Sequence, residues 1–146
     1  MPASGELVED ASSLAESILE QIADAVIYAD DTGTIRRWNQ AAAALFGYSA
    51  AEALGQHLDL IIPAHLRDAH WRGFEAAMTN GVMKLQGRPT LTRATHQTGR
   101  KLYVELTFAL VKGPAGGAPR GAVAVARDVT ERIEQQRADA RRDAPG

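Results

Sequence analysis

At 146 residues the chain is the size of one domain, large enough to bury a core and too short for two ordinary ones. A formal charge of −2 and a pI near 6.1 leave no basic excess for a nucleic-acid surface, and the absence of cysteine removes disulfides, thiolate metal sites and cysteine nucleophiles together. The acidic, polar start "MPASGELVED" is unlike a secretory leader and no apolar run reaches the roughly 20 residues that cross a bilayer, so a cytoplasmic location away from membranes is expected.

In chain order, residues 1–6 read as disordered and residues 7–23 as an amphipathic helix, with Leu7, Leu14, Ile18 and Ile22 close to one face. A core of residues 24–130 follows. "AVIYA" and "TIRRW" read as two strands joined by "DDTG", whose Asp and Gly residues suit a tight turn. Asn39 offers a side-chain cap to the alanine-rich helix "QAAAALFG" and Ser49 to "AAEAL", with Gly47 and Gly55 as stops. Ser12 and Ser13 also read as capping hydroxyls.

Pro63 fits a first helical turn, where its missing N–H costs little, so a helix is expected from Pro63 to Thr79. Lys84–Thr95, Arg100–Lys112 and Arg120–Val129 read as three strands, separated by "HQTG" and by a flexible loop, "GPAGGAP". The middle strand alternates: Leu102, Val104, Leu106, Phe108 and Leu110 share one face, Tyr103, Glu105 and Thr107 the other. Residues 131–146 read as a charged helical linker that frays at Pro145. The order predicts an α+β fold, a five-stranded antiparallel sheet with helices on one face and a hollow between them.

The chemistry concentrates in "PAHLRDAHWRGF", where His70 shares a helical stripe with Leu66, Phe74 and Met78. Such a histidine is either a packed pocket residue or a ligand. His57, His65 and His96 fall near turns or helix starts and read as solvated, and no histidine pair has metal-ligand spacing. Trp38 and Trp71 read as packing residues, with stacking on a flavin as the minority role. No serine has a partnered His and Asp, and "GPAGGAPRG" opens no helix, so catalysis and phosphate binding are not expected.

"TGTIRRWNQAAAALFGYSAAEALGQHL", "HQTGRKLYVEL" and "RDVTERIEQQ" together resemble a PAS domain over about residues 15–137. The resemblance implies a PAS fold, with a last strand that passes through Asp128-Val129-Thr130 into a signalling helix. The spacing in "LIIPAHLRDAHWRGFEAAMTNG" is similar to haem-binding oxygen-sensor PAS domains of rhizobial kinases and an enteric phosphodiesterase, which implies haem b with His70 as proximal ligand. Leu66 and Phe74 on the helix, and Leu85, Leu106 and Phe108 facing it, are then the apolar pocket. Thr90 stands where oxygen-sensing relatives carry a distal arginine, and Arg88 where the enteric protein carries a methionine. Ala76 replaces a propionate-side arginine, which shifts that role to Arg67, Arg72 or His65.

The same resemblance implies a homodimer through the N-terminal helix and a signalling partner or output domain, with a diatomic gas or redox state as the signal. A PAS domain binding flavin or a small organic ligand, and a cofactor-free interaction module, remain alternatives.

Overall fold

The computed structural model describes residues 4–82 and 87–144, with side chains from Ser12 onward. Helix α1 (Ser4–Gln21) begins before the expected residue 7, so Ser4–Glu6 are helical rather than irregular, and it ends before the expected residue 23. Ser12 and Ser13 lie inside it, exposed, and cap nothing. Strands β1 (Ala25–Asp30) and β2 (Ile35–Trp38) form the expected hairpin. Its turn is built on Asp30, whose Oδ1 accepts the Thr32 and Thr34 amides at 2.9 and 3.2 Å.

Helices α2 (Gln40–Phe46) and α3 (Ala50–Ala53) start as expected, α2 on the Asn39 side chain and α3 on a reciprocal Ser49–Glu52 capping box. The expected single helix from Pro63 is instead a 3-10 turn at Ala64–Leu66 followed by α4 (Arg67–Asn80). Arg67 explains the break: its guanidinium is held by the Ile62 and Asp59 carbonyls at 3.0 and 3.2 Å, which folds the approach back on the preceding 3-10 turn, Leu58–Leu60.

Strand β3 (Thr90–Thr95) does not include Gly87–Pro89, which the expected Lys84–Thr95 counts as strand, and Lys84–Gln86 lie outside the described residues. Pro89, which has no N–H to give a ladder, precedes it. Strand β4 (Lys101–Gly113) lies one residue later than expected, β5 (Gly116–Asp128) starts before the expected Arg120, and the two meet at a tight turn. The glycine run is therefore the start of a strand, not a flexible loop. Pro114 fits the first corner and Gly116 takes φ +80°, which lets Gly113 pair with Gly116. Helix α5 (Thr130–Asp143) closes the chain.

All pairings are antiparallel, in the order β2-β1-β5-β4-β3, so the α+β sheet is as expected. Period-two alternation puts Leu102, Val104 and Leu106 on the face that meets the helices, where they pack with Ile27, Ile35, Trp38, Phe46 and Ile61. Burying each such large apolar side chain contributes about 1.5–3 kcal/mol. Where the hollow was expected, α4 packs against β5 and buries Phe74 and Ala77. On the opposite side α5 is anchored by buried Ile133, and the Val129 amide donates to the Tyr103 carbonyl at 2.9 Å.

Candidate functional site

The hydrophobic stripe of α4 turns His70, Phe74 and Ala77 inward, as positions four and seven apart must on one helical face. Leu66 and Met78 are half-buried on the same side. The His70 ring stands edge-on to Trp71 at 4.5 Å between centroids and near-parallel to Phe74 at 6.3 Å. Phe74 meets Trp71 edge-on at 5.1 Å. His70 thus sits in an aromatic corner.

Its Nδ1 is buried and has no hydrogen-bond partner. Burial holds the imidazole below its usual pKa of 6.5, with the Asp59 carboxylate pulling it up and His57 pushing it down. The ring is therefore neutral near pH 7, the state in which an imidazole nitrogen can donate its lone pair to a metal.

Trp71 is pinned from two sides. Its Nε1–H donates to Asp59 Oδ1 at 2.7 Å, and its ring lies 4.5 Å from that of His57. His57 Nδ1 accepts the Asp59 amide at 3.2 Å and lies 3.3 Å from Asp59 Oδ2. Both rings lean on Gly33 in the β1–β2 turn. A Cβ there would come within 2.6 Å of Trp71 Cη2 and 2.9 Å of His57 Nε2, and the φ of +80° is one that side-chain-bearing residues rarely adopt.

On the sheet, Thr90 pairs with Leu106 and Leu106 with Ala126, while Phe108 pairs with Ala124. Period two then places Thr90, Leu106, Phe108 and the row Ala122, Ala124 and Ala126 on the helix-facing side. Of the expected pocket residues, Leu66, His70 and Phe74 come together at α4, and Thr90, Leu106 and Phe108 on the sheet. Arg88 is exposed ahead of β3, its carbonyl 3.4 Å from Thr90 Oγ1. Leu85 lies outside the described residues. Arg67 is committed to backbone carbonyls, whereas Arg72 and His65 are exposed.

His57 and His96 are more than solvated residues. His57 packs with its ring tilted against Trp71, and His96 covers Gly47, where a Cβ would come within 2.6 Å of its ring. Asp59 and Gly33, which the sequence does not single out, and His57, which it reads as solvated, belong to the His70 corner; the one sequence hint is that a tryptophan packed in the interior needs an acceptor for its N–H.

Two clefts lie elsewhere. One of about 360 Å³ is lined by Leu19, Val26, Trp38 and Leu54 with Glu16 and Arg37, and one of about 290 Å³ by Ala23, Ala41, Leu45 and Ala126 with Asp24 and Arg127. Neither is lined by His70. Among the described residues, no three His, Asp or Glu side chains are grouped to hold a metal ion, and no helix is long and apolar enough to cross a membrane.

Comparison with known proteins agrees with this architecture. A protein of Azorhizobium caulinodans is 35% identical over 133 residues, which are 90% of this chain and 17% of that protein. The cell-division control histidine kinase PdhS of Brucella ovis is 30% identical over 133 residues, 88% of this chain and 12% of the kinase. The chain thus spans under a fifth of the length of either relative. The crystal structure of a PAS domain from Colwellia psychrerythraea superposes with a TM-score of 0.71 at 22% identity, covering 84% of this chain and 99% of that one. The sequence matches the PAS fold over residues 19–134. With that match and the order of the five-stranded antiparallel sheet, the chain belongs to the PAS family.

Proposed function

We propose that this PAS domain is a sensory module that holds haem b through His70 and passes ligation or redox state to an output domain. The observation that carries the reading is the buried, unpartnered Nδ1 of a neutral imidazole on the inward face of α4. A buried polar nitrogen without a partner is costly, and a ligand at this ring gives it a purpose. Bound haem supplies an iron coordination position for a diatomic gas and a one-electron redox couple. His70 would hold the iron, with Leu66 and Phe74 as apolar neighbours on the helix side and Leu106 and Phe108 as apolar contacts from the sheet. Thr90 offers one hydroxyl donor, and exposed Arg72 and His65 are the free candidates for the propionates. Since α4 stands against β5, a planar ligand at His70 would have to lie between the two, where Ala122, Ala124 and Ala126 present short side chains on the sheet.

The similarity to part of a histidine kinase supports an output of that class. Helix α5, rooted in the sheet at Tyr103, is the element suited to carry the signal, and α1 is the element suited to join two copies.

The test is an absorption titration of the purified protein with hemin, oxidised, reduced and under carbon monoxide, beside His70→Ala. A saturable Soret band that shifts on reduction and with carbon monoxide, and is lost in the variant, is expected; an unchanged band in the variant removes His70 as ligand. The direct packing of α4 on β5 favours a second reading, a cofactor-free PAS interaction module. A protein that never saturates with hemin selects it, and a yellow protein as purified selects a flavin instead.

A further inference from the structure

The His70 corner contains one carboxylate, and in this structure it serves a neighbour of His70 rather than His70 itself. Asp59 Oδ1 accepts the Trp71 indole N–H at 2.7 Å, and Oδ2 lies 3.3 Å from His57 Nδ1. The indole so held is the ring that stands edge-on to His70, so imidazole and carboxylate share a neighbour.

An imidazole that binds a metal through Nε2 keeps its proton on Nδ1, and that N–H needs an acceptor to fix the ring. His70 Nδ1 is buried and has none. Coordination to a cation also makes the remaining N–H a better donor, and a hydrogen bond from it to a carboxylate is stronger than one from a neutral indole.

We propose that Asp59 is a positioning residue that exchanges partners: when His70 takes a ligand, the Asp59 carboxylate turns from the Trp71 indole to the His70 Nδ1–H and frees the indole. Trp71 is packed against Gly33, so its release loosens the contact between α4 and the β1–β2 turn. Ligation at one ring is thereby converted into a change in helix–sheet contact. The inference rests on the reading of His70 as a ligand and names the residue that completes it.

The experiment follows solvent exchange of the two indole N–H protons by NMR, in the metal-free protein and in its hemin-loaded, reduced, carbon-monoxide-bound form, which is diamagnetic. Trp71→Phe assigns the Trp71 resonance, and Trp38, bound to the Tyr48 carbonyl at 2.9 Å, is the internal control. Exchange at Trp71 is expected to rise on loading to the rate found in metal-free Asp59→Ala, with Trp38 unchanged. Hemin affinity is expected to fall about 10–100-fold in Asp59→Ala and less in Asp59→Asn, which keeps a carbonyl acceptor and guards against a folding defect. Trp71 exchange that ignores loading, or Asp59→Ala affinity equal to wild type while His70→Ala loses its Soret band, overturns the exchange and leaves His70 as ligand. A Soret band retained in His70→Ala, or none in the wild type, overturns both.

Discussion

Asn39 is the buried polar side chain on which several elements converge. Its Oδ1 accepts the Val26 and Ala42 amides, both at 2.9 Å, while Nδ2 donates to the Leu19 and Asp24 carbonyls at 2.8 and 3.1 Å. The cap on α2 is thus also the joint that ties the end of α1 to the start of β1. Asn39→Ala removes these bonds and strands groups in the interior, at a cost of about 2–4 kcal/mol. Urea unfolding of the variant beside wild type measures this, and a loss under about 1 kcal/mol, the value of an ordinary exposed cap, would reduce Asn39 to that role alone. An aspartate is the informative comparison: it keeps both acceptor bonds and loses both donor bonds.

Among the elements, α1 is the least satisfied. Leu14 is 62% exposed, Ile18 52% and Ile22 37%, whereas Leu19 is half-buried and Glu16 pairs with Arg37 at 3.1 Å. An apolar helical stripe left in water is a contact waiting for a partner. Its sequence carries Glu6, Glu9, Asp10, Glu16 and Glu20 and neither Lys nor Arg, so pairing two copies brings like charges together. A dimer through α1 is therefore expected to tighten as salt screens the carboxylates, and Ile18→Glu is expected to dissociate it. Light scattering after size exclusion, at low and at moderate salt, checks both. A dimer that weakens with salt, or survives Ile18→Glu, places the interface elsewhere.

For the whole molecule, two groups set how stability responds to acid. His70 has a lowered folded pKa because burial disfavours its charged form, so its contribution is intact above the unfolded value of about 6.5 and is lost as pH falls from there through the folded value. Burial alone would raise the Asp30 carboxyl; hydrogen bonds from the Thr32 hydroxyl, Arg36 and the Thr32 and Thr34 amides outweigh it and bring the pKa from 3.8 to about 2. That contribution is present above the unfolded carboxylate value and disappears only as pH falls toward 2. Metal-free protein is thus expected to lose stability in two stages. His70→Gln flattens the first, which sets in below about pH 6.5, and leaves the second. Denaturant midpoints across this range decide it; parallel curves for variant and wild type would mean His70 is not held neutral by burial.

Local chemistry made much of the chain legible from its sequence. Caps at Asn39 and Ser49, the Asp-Gly turn between β1 and β2, and strict alternation from Leu102 to Leu110 depend on residues close in the chain, and each stands in the structure where the sequence placed it. The inward stripe of His70, Phe74 and Met78 was equally readable, because helical spacing fixes which side chains share a face. Features set by distant partners were not. Arg67 reaches the Asp59 and Ile62 carbonyls and turns the expected first helical turn into a 3-10 segment. Pairing with β4 makes a strand of the glycine run that reads locally as a loop. The surroundings of His70 are the clearest case: Gly33, His57 and Asp59 meet Trp71 from separate elements, and no local pattern records a contact between a turn, a 3-10 segment and a helix. The sequence determined the PAS scaffold and the face on which His70 lies; only the tertiary packing decided which groups surround that ring, because hydrogen bonds and burial there are made between residues far apart in the chain.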